Sequence, residues 1–123
     1  MYSNALNAYK SVEQSTASGR ETEARVLTEA AAKLRQCQNR WNDADRRALL
    51  DEALQYNQRI WSIFQTELVK EDNPLPKNIK IDILRLAGFI DKRIFDVMAA
   101  PAPEKLDIII KINDNIAAGL RGE

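Results

Sequence analysis

The stretch YNQRIWSIFQ, residues 56–65, decides the fold, because its apolar side chains recur at three- and four-residue steps and predict an α-helix. At about 100° per residue, the apolar positions of this helix cover an arc on the order of 180°, whereas one helix–helix seam needs about 100°. The helix therefore packs against two neighbours or leaves part of its arc to another chain. Ile60 and Phe64 are central in the arc and are predicted to be core. Trp61 is predicted at its edge or outside, and Asn57, inside the arc, needs hydrogen-bond partners.

Four more helical patterns flank this one, and no repeat or low-complexity segment interrupts them. The sequence predicts one all-α domain over residues 1–123, a helical bundle of about five helices, three of them long and antiparallel. The predicted helices run over residues 3–14, from Ser18 to about Arg40, from Asn42 or Asp43 to about Lys70, from the turn DNPLP (72–76) to about Ala99, and from Glu104 to Ala118 with Gly119 as C-cap.

Two boundaries allow alternatives. In DNPLP, either Asn73 caps the fourth helix with Pro74 in its first turn, or Pro-Leu-Pro is extended and the helix begins near Asn78. The turn is interpreted as a rigid connection between two helices, with direct contact to a partner as the alternative. LDIIIKI, residues 106–112, suits a helix or a strand. Helix is favoured because the pattern continues to Ile116 and no other strand candidate exists to pair with it.

Composition argues against an enzyme. The chain has no His, which removes the commonest general base and zinc ligand, and one Cys, which excludes an intrachain disulfide. Cys37 is interpreted as a small apolar side chain on a helix flank. Neighbouring carboxylates such as Asp51 and Glu52 point to different sides of a helix. No catalytic residue, metal site or cofactor is therefore predicted.

Charge and hydropathy place the chain among cytoplasmic proteins. The 18 basic and 18 acidic residues balance, and the basic ones are scattered among acids, so direct nucleic-acid binding is not expected. The first ten residues, MYSNALNAYK, do not resemble a secretory signal, and no segment reaches the length of a membrane helix.

The last helix carries more apolar surface than a terminal helix of a small bundle usually buries. Its aliphatic side chains, with Ile108, Ile109, Ile112 and Ile116 among them, cover an arc of roughly 200°. We infer that some of the apolar surface on the third, fourth and fifth helices meets another chain, either a second copy in a homodimer or a client helix in a groove. The alternative is that the five helices bury all of it.

Several blocks, in order, resemble the FlaF family of flagellar biosynthesis regulators found in flagellated alphaproteobacteria. They are MYSNALNAYK, TASGRETEA, LLDEALQYNQRIWSIF, DNPLP and INDNIAAGL, and together they span essentially the whole chain. The resemblance implies a protein required for flagellin accumulation and export, which binds flagellin as a secretion chaperone and is associated with the regulator FlbT. It implies no enzymatic activity, cofactor or metal.

The resemblance supplies no residue-level map, so the predicted partner-binding residues come from the apolar pattern. Captured flagellin is expected to lie on an apolar helical surface. That surface comprises Arg59, Trp61, Phe64, Leu75, Phe89, Ile108, Ile109, Ile112 and Ile116, with Arg59 pairing a client carboxylate. The alternative function is post-transcriptional regulation of flagellin translation through an mRNA-binding partner of the FlbT type.

Overall fold

A computed structural model describes residues 18–122, which form four α-helices and one short 3₁₀ helix. The helices are α1 (Ser18–Asn39), α2 (Arg46–Leu68), α3 (Lys77–Ala99) and α4 (Asp107–Leu120), and the 3₁₀ helix (Pro103–Leu106) leads into α4. The prediction of an all-α bundle is confirmed, since residues 18–122 contain no strand and α1, α2 and α3 are long. The helix predicted over residues 3–14 lies outside the described residues.

Side-chain contacts show that α1 and α2 run antiparallel. The Tyr56 hydroxyl donates a hydrogen bond to the Glu29 carboxylate (2.8 Å). One turn later in α1, Lys33 pairs with Glu52, which lies one turn earlier in α2 (3.5 Å between Nζ and Oε1). The Lys33 ammonium also lies 5.0 Å from the centre of the Tyr56 ring, a distance suited to a cation–π contact.

Helix α4 packs antiparallel on the other side of α1. Near the end of α1, Gln38 donates a hydrogen bond to the Asp107 carboxylate at the start of α4 (2.6 Å). Nearer the start of α1, the Thr28 hydroxyl accepts one from Arg121, just after α4 (3.1 Å). Helix α1 is therefore held between α2 and α4.

The inner face of α1 is withdrawn from solvent and is built largely from small side chains. Because alanine adds little bulk, the neighbouring helices can approach α1 closely. The buried apolar residues of this face are Ala24, Leu27, Ala30, Ala31, Leu34 and Cys37. The interpretation of Cys37 as a small apolar side chain is confirmed, although it lies in the core rather than on a flank, and burial raises the pKa of its thiol.

Helix α2 begins later than predicted. Neither Asn42 nor Asp43 is its N-cap, because Asp45 precedes the first helical residue, Arg46, and makes no capping hydrogen bond with its side chain. The Arg40 guanidinium explains the difference. It binds the carboxylates of Asp43 and Asp45, at 2.8 and 2.9 Å, and so holds both in the turn between α1 and α2.

The DNPLP segment takes the second of its two predicted conformations. Pro76 is extended (φ −56°, ψ 147°) and α3 begins at Lys77, so Asn73 does not cap α3. Instead, the Asn73 side chain accepts a hydrogen bond from the Leu75 backbone N–H (3.0 Å) and donates one to the Glu67 carbonyl at the end of α2 (3.2 Å). This local turn satisfies the end of α2 and redirects the chain.

The Ile-rich segment near the end of the chain is helical, as predicted. Glu104 lies in the 3₁₀ helix, and α4 continues past the expected C-cap, Gly119, to Leu120. The glycine with positive φ is Gly122 (φ 80°), two residues after the helix, where a left-handed conformation suits a helix end.

Candidate docking surface on helix α3

The two aromatic residues predicted as partner anchors on α2 lie in the core. Phe64 is 8 % exposed, which confirms its predicted core position, and its ring packs edge-to-face on Trp61 with centroids 5.9 Å apart. Trp61 is 1 % exposed, so the prediction that it lies at the edge of the arc is wrong. The core position of Ile60 is confirmed, and Arg59 lies exposed on the outer side of α2.

A buried polar network explains the position of Trp61. Its indole N–H donates to Oδ1 of Asn113 on α4 (2.9 Å), and Asn113 Nδ2 donates to Oδ1 of Asn57 (2.6 Å). Asn57 Nδ2 in turn donates to the carbonyls of Ala53 (2.8 Å) and Ala30 (3.2 Å). The network joins α1, α2 and α4, and it confirms that Asn57 needs buried partners. Asn113 was not among the predicted residues, although it is a polar residue within the apolar arc of α4.

The aliphatic residues of α4 are mostly covered by the chain itself. Ile109 is fully buried, and Ile110, which was not among the predicted contacts, is nearly so. The predicted contacts Ile108, Ile112 and Ile116 are half-buried and pack against the core. Much of the apolar surface that the sequence assigned to a partner on α4 is therefore covered by the rest of the chain, and above all by α1.

Leu75 and Phe89, the other predicted contacts, lie before and on α3. Leu75 is half-buried in the connection before α3. Phe89 is exposed on α3, and the guanidinium of Arg93 lies 5.7 Å from the centre of its ring. The predicted partner residues thus include buried, half-buried and exposed side chains.

Helix α3 carries most of the exposed apolar surface on the helices of residues 18–122. Phe95 is 72 % exposed, Met98 50 % and Ile81 40 %, and Leu84 is half-buried. These residues follow steps of three and four along one side of α3, about 110° around the helix from its buried face. We call this side the outer stripe and define it as Ile81, Leu84, Gly88, Asp91, Phe95 and Met98. It is about 26 Å long.

The sequence pattern contained a sign of the outer stripe. Leu84 and Phe95 lie on a side of the predicted helix away from its main apolar face. Neither residue was among the predicted contacts. The main face is the one that packs inward, through Ala87, Ile90, Ile94 and Val97. All four lie at residue 87 or later, so roughly the first half of α3, residues 77–86, has no fully buried side chain.

Two basic residues border the outer stripe on one edge. Arg85 and Lys92 are exposed and seven residues apart, so they lie on the same side of α3. Neither forms an ion pair with any residue of the described chain, and Asp91 within the stripe does not either. The basic residue near the end of α3 is different, because Arg93 lies 3.8 Å from the Asp96 carboxylate.

One other surface feature of residues 18–122 is a polar site, several of whose groups are already paired. A shallow polar depression lies between α1 and α4, but its side chains bind one another, as in the pairs Arg35–Asp114 and Gln38–Asp107. In this part of the chain no three His, Cys, Asp or Glu side chains are grouped so as to hold a metal ion. None of its helices combines the length and apolar character needed to cross a bilayer.

Comparison with known proteins identifies the chain at family level. A family model described as "Flagellar protein FlaF" matches residues 5–120, which is nearly the whole of the 123-residue chain. No curated protein and no solved structure matches it. The resemblance seen in the sequence blocks is confirmed by this match.

Proposed function

The chain belongs to the FlaF family of flagellar proteins, which gives it a role in flagellum biogenesis, and from this premise we propose that it is a flagellin-binding export chaperone. In this proposal, an amphipathic segment of flagellin lies along the outer stripe of α3 and is shielded in the cytoplasm until export. The observation that carries the proposal is the exposure of Phe95, Met98 and Ile81 on one side of a single helix.

The dimensions of the outer stripe suit one amphipathic helix. Its length of about 26 Å corresponds to about 17 residues of a partner helix. Burying a Phe, a Met and two aliphatic side chains at about 25 cal/mol per Å² gives several kcal/mol before association costs are subtracted. We therefore expect flagellin to bind reversibly, because an export client must be released.

Isothermal titration of the full chain with purified flagellin tests the proposal. We expect a saturable complex, and we expect Phe95→Asp and Met98→Asp each to weaken it about tenfold or more, because each places a charge in an apolar contact. Val69→Asp is the matched control: Val69 is also an exposed apolar residue (69 %), but it lies after α2 and off the outer stripe. Circular dichroism checks that every variant is folded.

Two results would count against this function. If wild-type chain and flagellin show no heat at any concentration tested, the chaperone proposal fails. If flagellin binds but Val69→Asp weakens it as much as Phe95→Asp, the surface is wrong. A FlbT-type regulator that binds the outer stripe when flagellin does not would favour the regulatory alternative.

A further inference from the structure

We propose that the helix held on the outer stripe packs against the α3 backbone at Gly88 and presents acidic side chains to Arg85 and Lys92. This inference rests on the proposed function, because it describes the flagellin segment that the stripe would hold. It adds a chemical specification: a helix with a bulky apolar residue over Gly88 and acidic residues along one edge.

Gly88 is not explained by the protein's own packing. It lies inside α3, where glycine destabilises a helix relative to alanine, and its φ is not positive. A Cβ built on Gly88 meets no heavy atom within 4 Å, so no element of residues 18–122 requires the missing side chain. A glycine at such a position allows another chain to approach the helix backbone closely.

The position of Gly88 within the outer stripe agrees with such an approach. It lies between Leu84 and Phe95, one turn from Leu84 and two turns from Phe95. Because glycine has no side chain, the outer stripe has a depression at this position relative to Leu84 and Phe95. A large apolar side chain of a partner helix would fill this depression, as a knob fills a hole in helix pairs.

The basic edge specifies the charge of the partner. Arg85 and Lys92 lie about 10 Å apart along α3. Both are exposed and neither has an ion-pair partner among residues 18–122. A helix lying on the outer stripe would place its own edge residues next to them. Acidic residues there would steer association and fix its register, whereas basic ones would be repelled.

A second copy of the chain does not meet this specification. In an antiparallel pair of α3 helices, residues of the same edge face each other, which would place Arg85 near the basic edge of the other copy. In a parallel pair, the Arg85 edge would face the opposite edge of the other copy. On that edge Ala87 and Ile94 are already buried in the core. The charge pattern therefore favours a partner of different sequence.

Substitution of Gly88 separates this role from stability. We expect Gly88→Ala to raise the urea midpoint of the chain alone, because alanine is the better helix former and the site has room. We expect Gly88→Leu to weaken flagellin binding about tenfold or more, since it fills the space that the partner needs. Gly119→Leu is the matched control: Gly119 is also helical with open space around it, but it lies on α4.

Charge reversal tests the acidic edge. We expect the double variant Arg85→Glu, Lys92→Glu to weaken flagellin binding about tenfold in low salt and to reduce its salt dependence. The control variant Arg47→Glu, Lys111→Glu changes the net charge equally at exposed positions on α2 and α4. It should leave binding nearly unchanged.

The outcomes distinguish this inference from the function on which it rests. If wild-type chain does not bind flagellin at all, the proposed function fails. If it binds, but Gly88→Leu and the Arg85/Lys92 double variant bind as well as their controls, only the inference is overturned. Light scattering that shows a dimer abolished by Gly88→Leu would also overturn it, because the occupant would then be a second copy.

Discussion

The indole N–H of Trp61 donates a hydrogen bond to Oδ1 of Asn113, 52 residues away in the chain, and both side chains are withdrawn from solvent. Their bond fixes the register of α2 relative to α4, because sliding either helix by one turn would leave a buried donor and a buried acceptor unpaired. No buried side-chain nitrogen or oxygen in residues 18–122 lacks a hydrogen-bond partner.

Asn113→Ala should therefore destabilise the protein well beyond the loss of one hydrogen bond. It removes the acceptor for Trp61 and the donor to Asn57, and leaves both buried groups unsatisfied. We expect a loss of about 2–4 kcal/mol in the free energy of unfolding, measured by urea denaturation. In a double-mutant cycle with Trp61→Phe, the double variant should lose about 0.5–3 kcal/mol less stability than the sum of the two single losses. Additive losses would show that the bond contributes little.

Truncation should destabilise the protein strongly at Trp61 and only slightly at Phe95. Trp61→Ala opens a cavity in the core and should cost about 3–5 kcal/mol of stability. Phe95→Ala removes a ring that is 72 % exposed and should change stability by about 0.5 kcal/mol or less. Thermal unfolding of the two variants compares them directly. A large loss for Phe95→Ala would mean that its ring supports the fold.

The Tyr56 hydroxyl should make the fold sensitive to alkali. Burial, helped by its hydrogen bond to the Glu29 carboxylate, raises the pKa of Tyr56 above its ordinary value of 10.0. The unfolded chain therefore loses this proton at lower pH than the folded chain. The stability that Tyr56 contributes is fully present below about pH 10 and is lost as pH rises from there through the folded pKa.

We expect Tyr56→Phe to flatten the decline of unfolding free energy between pH 9 and 11.5 relative to wild type. The comparison between the two proteins is needed because the raised pKa of Cys37 acts in the same direction in both. Urea denaturation at each pH supplies the measurement. Parallel profiles for the two proteins would show that Tyr56 does not contribute.

The first half of α3 should open more readily than α1. Amides of residues 82–86 belong to the half of α3 without fully buried side chains, whereas residues 24–37 of α1 carry a continuous buried face. Hydrogen exchange of the free protein should therefore be faster in residues 82–86. With flagellin bound, the same amides should become slower. Equal protection of the two segments in the free protein would contradict the expectation.

Helical periodicity was sufficient to predict the four α-helices of residues 18–122 and the central core positions of α2. Ile60 and Phe64 could be assigned from their place in the apolar arc of α2, because a residue in the middle of an arc is buried whichever helices cover it. Trp61 could not, since its burial depends on where α4 lies. Its partner Asn113 is distant in sequence, and local pattern contains no information on that contact.

The sequence predicted surplus apolar surface on the third, fourth and fifth helices, and in the structure the exposed apolar side chains of residues 18–122 lie mainly on the fourth predicted helix, α3. The width of an apolar arc indicates how much of a helix surface must be buried, but it does not indicate how many neighbouring helices bury it. Helix α4 lies along α1, its Asn113 bonds to Trp61 of α2, and Ile109 is enclosed. Helix α3 packs inward mainly through its second half, so Phe95 and Met98 remain outside. The sequence pattern did not decide between the two predicted conformations of DNPLP, because its candidate helix-start residues have similar intrinsic preferences.

The pairing of α1 with α4 has a consequence for synthesis on the ribosome. The bonds Arg35–Asp114 and Arg121–Thr28 join residues 79 and 93 positions apart. Until α4 has left the exit tunnel, the alanine-rich face of α1 has no partner on that side. The nascent chain therefore cannot complete its core before α4 emerges, and until then its apolar faces are accessible to chaperones.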